Sequence, residues 1–178
     1  MPNRFRYKRK RSGGRLALER LEQRVVLNGR SLVINEFVTS NGDTLLDEDG
    51  QSPDWIEFYN PTEEPVELEG WYLTDEDDDL AKWEFPAVTV GSNDYLIVFA
   101  SGKDRRVAGS PLHTNFQLDG DGEYLALVQP DGITIAYEFS PAYPGQREDI
   151  SYGTSQEAAA FTLEGSGLTY RVPTAADA

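Results

Sequence analysis

The chain has no cysteine, which excludes disulfides, thiol nucleophiles and thiolate metal sites and leaves the redox compartment open. It has one histidine, His113. A multi-histidine zinc site is therefore excluded, and His113 is the single candidate for imidazole catalysis. No apolar run approaches the roughly 18 residues of a membrane span. Residues 1–30 also lack the apolar centre of an ordinary secretory signal. Positive charge is scarce over most of the chain. Residues 1–30 hold ten Lys/Arg against two Glu, a net +8, whereas residues 31–178 hold six Lys/Arg against 29 Asp/Glu, a net −23. Neutralising phosphates takes clustered Lys/Arg. The six cations of the acidic body read as scattered, so nucleic acid is not an expected partner for it.

What is present in quantity is turn formers and apolar residues. Sixteen Gly and ten Pro punctuate a chain that is 39% hydrophobic, the profile of one folded domain with many turns. In RYKRKRSGG like charges repel and nothing apolar anchors the segment, so the arm reads as disordered. LALERLEQRVVL has Leu18, Leu21 and Val25 on one helical face, although a helix this short is marginal on its own. From Leu32 the period changes to two. LVINEF, DWIEFYN, VELEGWYLTD, a short strand near KWEFP, NDYLIVFAS, HTNFQL, EYLALVQ and ITIAYEF are the strand candidates. Eight or nine short strands, with a turn every ten residues or so and no long helix, predict an all-β protein of sandwich type.

In DWIEFYNPTEEPVELEGWYLTD seven acidic and five aromatic residues interleave over 22 positions. Alternation resolves them into wet and dry faces. Ile56 and Phe58 share one face, with Trp55, Glu57 and Tyr59 on the other. Val66 and Leu68 oppose Glu67 and Glu69. Gly70 is expected to form a bulge that turns Trp71 and Leu73 inward. NDYLIVFAS is apolar on both faces and is expected to be a central, fully covered strand. The expected core is Ile56, Phe58, Trp71, Leu73, Ile97, Phe99, Leu125 and Leu127. Outward glutamates on a sheet do not converge on a cleft, which general acid–base work requires.

Three acidic loops remain: Asp47, Glu48, Asp49 and Asp54; Asp75 to Asp79; and Asp119, Asp121 and Glu123. Hard oxygen ligands at alternate positions suit calcium. With Asp47, Asp49 and Gly50 as the third, fifth and sixth positions of an EF-hand, the first falls on Leu45 and the twelfth on Ile56, so the loop is not an EF-hand. A looser calcium site on Asp47, Asp49 and Asp54 is the one metal candidate, and no cofactor is required. The alternative for these loops is a solvated acidic face. No nucleophile-elbow glycine pattern surrounds any serine, so His113 reads as structural.

VINEF at 33–37, DEDG at 47–50, DWIEFYNP at 54–61, LEGWYLTD at 68–75, KWEFP at 82–86, YLIVFASGKD at 95–104, LHTNFQLDGDGEYLAL at 112–127 and DISYG at 149–153 resemble, in this order, the lamin-tail domain. The resemblance implies an immunoglobulin-like β-sandwich over residues 31–153. It further implies a non-catalytic module of the kind found in secreted or surface proteins, where such modules often accompany hydrolase or nuclease domains. RLALERLEQRVVLN at 15–28 is similar to the LEPR-XLL leader of planctomycete extracellular proteins, through Leu18-Glu19, Leu21-Glu22, Arg24 and Val26-Leu27; Arg20 stands where proline is common. Residues 154–178 read as a tail or as the start of a further module.

The expectation is thus a non-catalytic extracellular or cell-surface module for adhesion, spacing or docking, with a protein or glycan at the cell surface as partner. An accessory domain cut from a secreted hydrolase, phosphatase or nuclease is the alternative, and a calcium-dependent binder the weaker one.

Overall fold

The computed structural model describes residues 32–153. The basic arm, its expected helix and leader, and the tail from residue 154 lie outside these residues. Among the described residues there is no helix. Eleven strands follow in order: β1 (Val33–Val38), β2 (Asp54–Tyr59), β3 (Val66–Glu67), β4 (Tyr72–Thr74), β5 (Trp83–Glu84), β6 (Thr89–Val90), β7 (Tyr95–Ala100), β8 (Leu112–His113), β9 (Leu125–Val128), β10 (Ile135–Phe139) and β11 (Tyr152–Gly153). Several are two residues long, which is why the count exceeds the eight or nine expected.

The strands form a five-stranded sheet, β11-β1-β2-β7-β8, a four-stranded sheet, β10-β9-β4-β5, and a small pair, β3-β6. All pairings are antiparallel except β7 with β8. A hairpin joins β9 to β10 around residues 129–132, with Gly132 N donating to Gln129 O at 3.0 Å. The fold is an immunoglobulin-like β-sandwich.

Period-two alternation supplies its core. Ile56 pairs with Val98 and Phe58 with Leu96 across β2 and β7. This face meets Leu73, Trp83, Leu125 and Leu127 of the facing strands, and Phe85 just after β5, in one cluster. Phe37 anchors the β11 end, with ring centroids 4.8 Å from Tyr143 and 5.2 Å from Phe139. Each sheet also buries part of its reverse side. Trp55 and Phe99 oppose one another across β2 and β7 and pack with Val38 under Leu45. Tyr124, Ala126 and Val128 pack with Tyr72 and Leu80.

Four local expectations are corrected. Ile97 pairs with Glu57 on the reverse face, where it is 37% exposed, so β7 is covered over its second half only. Phe99 is buried, but in the reverse-face cluster. Trp71 is half-buried against the core, whereas Trp83 is wholly enclosed. Gly70 is not a bulge: with φ at +78° it makes a turn in which Trp71 N donates to Leu68 O, and the chain passes there from the small pair into the four-stranded sheet. Only glycine adopts that φ freely.

Candidate functional site

The described acidic loops meet different fates. In the first, Gly50 N donates to Asp47 O and Asp47 N to Gln51 O, and Gly50 turns with φ at +73°. The turn curls around the Asp47 carboxylate. Its Oδ1 accepts from Asp49 N and Gln51 N, each at 2.9 Å. Its Oδ2 receives the Lys103 ammonium, and the side chain has no exposed surface. Burial opposes ionisation of Asp47, but Lys103 and the Gln51 and Asp49 amides outweigh it and hold the carboxyl below its usual range.

Lys103 Nζ also reaches Asp49 Oδ2 at 2.8 Å, and Arg105 Nη2 reaches the same oxygen at 2.6 Å. The guanidinium first, then the ammonium, pull the Asp49 pKa down to about 2. Arg105 Nη1 binds Glu48 Oε1. Glu48 Oε2 lies 3.0 Å from His113 Nε2, and this hydrogen bond is the foremost reason the Glu48 pKa is lowered. The sequence folds this way because β7 runs on into the Ser101–Arg106 segment. That segment returns against β8 through paired bonds between Arg105 and His113 backbones, both 3.0 Å. Lys103 and Arg105, two residues apart, therefore face the acidic turn together.

His113 is fully buried, its ring stacked on Phe99 at 5.1 Å. Its Nδ1 stands 2.8 Å from Ser101 Oγ. An ionised carboxylate only accepts, so Nε2 carries a proton toward Glu48; in the neutral ring Nδ1 then accepts from the Ser101 hydroxyl. Serine, histidine and glutamate are thus in line, with the two ring nitrogens exchanged relative to a hydrolytic triad. The surroundings oppose nucleophilic use. The ring has no exposed surface, Gly102 N donates to Phe116 O at 3.0 Å, and Lys103 N donates to Ser101 Oγ itself at 3.2 Å. The amides flanking Ser101 are engaged and offer no oxyanion hole.

Of the three residues named for calcium, Asp47 and Asp49 come together, but around Lys103. Asp54 does not join them. Its Oδ1 accepts from Asn41 N at 3.2 Å, and burial raises its pKa. In the second loop Asp75 and Glu76 both bind Lys82, at 2.7 and 2.6 Å, while Asp77, Asp78 and Asp79 are exposed. In the third, Asp119 Oδ1 accepts from Asp121 N at 2.8 Å. Glu123 Oε1 accepts from Asp119 N at 2.8 Å and the Tyr143 hydroxyl at 2.9 Å, with burial raising the Glu123 pKa. A shallow cleft of about 200 Å³ lies elsewhere, between Glu69, Glu84, Phe85 and Arg106. Arg106 is engaged there, its guanidinium 5.6 Å over the Trp83 ring and 2.6 Å from Asp104.

Sequence reasoning missed Glu48, Ser101, Lys103 and Arg105 as partners of one another and of His113. A signal existed. Three of the six cations of residues 31–178, Lys103, Arg105 and Arg106, sit within four positions, so they are clustered rather than scattered.

The model of the Lamin Tail Domain family matches residues 27–140. Among curated proteins none matches the chain. Strand β11 lies beyond the matched range and completes the five-stranded sheet.

Proposed function

Since the chain belongs to the lamin tail domain family, we propose that it is a non-catalytic module of an extracellular or cell-surface assembly, serving adhesion, spacing or docking. One observation carries the non-catalytic half of this reading. The chemistry-bearing side chains that converge, at Asp47 to Asp49 and Ser101 to His113, are matched to one another by charge and hydrogen bonds. A catalytic centre keeps a reactive group available to substrate. In the metal-free chain each of these groups is engaged in holding a loop to a strand.

The surface placement rests on the resemblance of residues 15–28 to an extracellular leader, and the strongly acidic body favours a soluble, exposed setting. The partner expected is a protein or glycan at the cell surface.

Two measurements test the reading. A fluorophosphonate probe should leave Ser101 unlabelled in the folded protein; labelling that disappears in Ser101→Ala and His113→Ala would establish an activated serine and overturn it. A reporter carrying residues 1–30 should leave the cytoplasm of the native host, and one lacking residues 2–28 should stay inside. Equal retention of both would remove the surface placement.

A further inference from the structure

We propose that Asp47, Glu48 and His113 form a binding site for a divalent first-row metal ion of the zinc class. One donor atom from each residue lies within 4.8 Å of the others. A zinc ion with bonds of about 2.0–2.2 Å wants its donors about 3.3 Å apart. The His113–Glu48 contacts, at 3.0 and 3.2 Å, are already at that separation; Asp47 has to close up.

The surrounding contacts are those that a ligand set needs. Metal-bound histidine has its second ring nitrogen hydrogen-bonded, and ligating carboxylates are themselves oriented by donors. His113 Nδ1 meets Ser101 Oγ at 2.8 Å. Asp47 Oδ1 is held by two backbone amides, which fixes the orientation of the carboxylate, and Oδ2 faces Lys103. Glu48 is oriented by Arg105. The Asp47 and His113 side chains have no exposed surface, whereas Glu48 is one-third exposed and leaves a side open for water ligands. Imidazole with carboxylates suits zinc and its neighbours, while calcium takes oxygen alone. The site therefore differs from the calcium expectation in both ligands and metal: His113 and Glu48 replace Asp49 and Asp54.

Binding needs two local changes. The Lys103 ammonium leaves Asp47 and keeps Asp49, whose Oδ2 already holds both Lys103 and Arg105. The imidazole proton moves from Nε2 to Nδ1, and Ser101 Oγ turns from donor to acceptor. For a neutral ring this is an exchange of tautomers, and the proton count is unchanged. Three carboxylates against two cations leave the group at −1 before the ion arrives, which favours a divalent cation.

The test uses untagged full-length protein stripped with chelator. His113 is the only histidine in the chain, so imidazole coordination reports on this site alone. Zinc and cobalt chlorides should raise Tm above the effect of magnesium or calcium at equal ionic strength. Zinc titration should saturate at one equivalent, and bound cobalt should show a nitrogen-ligated visible spectrum. Ser101→Ala should weaken zinc binding about 10- to 100-fold, as loss of an outer-shell partner does. Glu48→Gln should weaken it at least as much, and Asp54→Asn should leave it unchanged. Because His113→Ala risks unfolding a buried position, Glu48→Gln and Ser101→Ala carry the decision. A zinc shift no larger than that of magnesium overturns the proposal. So does zinc binding unaffected by both variants, or a calcium-specific shift lost in Asp54→Asn.

Discussion

Lys103 Nζ and Asp49 Oδ2 are 2.8 Å apart across 54 residues of sequence, and the same ammonium holds Asp47 across 56. This joins the 45–51 loop to the segment that follows β7.

The brace makes the protein acid-sensitive with a defined sign. Asp47, Glu48 and Asp49 all have folded pKa values below their ordinary ones. Their contribution is fully present above the unfolded values of about 3.9 for Asp and about 4.3 for Glu. It is lost as pH falls through the folded values, down to about 2 for Asp49. Asp54 and Glu123 have raised values, so their native forms take up protons first and gain stability on mild acidification. Tm should hold or rise slightly from about pH 7 to about pH 5 and fall below about pH 4. A steady fall from neutrality contradicts this assignment of signs.

Asp54→Asn keeps an oxygen able to accept from the Asn41 and Leu118 amides that hold the carboxylate and removes a charge that burial disfavours. It should raise stability at pH 7 by no more than about 1 kcal/mol, since solvent screens a partly exposed group. The gain should vanish at acid pH, where Asp54 of the unsubstituted protein is protonated and as uncharged as the asparagine. Chemical unfolding at the two pH values checks it; destabilisation at pH 7 means that the carboxylate is engaged favourably.

Trp83, in β5, and Trp71, just before β4, should part in energy. Trp83 is wholly enclosed, with Phe85 4.8 Å away edge-on. Trp83→Ala should cost about 3–5 kcal/mol. Trp71 is half-buried, and Trp71→Ala should cost less than half as much. Denaturant unfolding of both variants decides it, and equal losses would contradict the packing.

Gly153 lies so close to β1 that an added Cβ would meet Asn35 O at 2.2 Å and Glu36 Cα at 2.9 Å. Gly153→Ala should push β11 off β1, speeding amide exchange of Phe37 while leaving the β9–β10 hairpin protected. Unchanged exchange at Phe37 would show that β11 does not depend on this close approach.

Much of the fold was legible because it depends on local alternation. Ile56 and Phe58 point inward as the period requires, and PDG between two apolar runs marks the β9–β10 hairpin. The errors arise where tertiary context decides. NDYLIVFAS is apolar on both faces, yet only the half beside Trp55 has a loop to cover its reverse side, so Phe99 is buried and Ile97 is not. Trp71 and Trp83 look equally apolar in sequence; a turn at Gly70 leaves the first half out. The polar cluster was least legible, because Glu48 and His113 are 65 residues apart. Their meeting depends on how β8 lies beside β7, which no local pattern encodes.

On the function proposed above, the converging charges brace the fold instead of performing chemistry. A double-mutant cycle on Asp47→Asn and Lys103→Met, measured by equilibrium unfolding in chelator at pH 7, tests it most directly. Asp47 has no exposed surface, but the Lys103 side chain is 21% exposed and solvent screening there limits the pair's worth, so a coupling energy of about 1 kcal/mol is predicted, the double variant losing less than the two single losses combined. Strict additivity, with the two losses independent, would contradict the account.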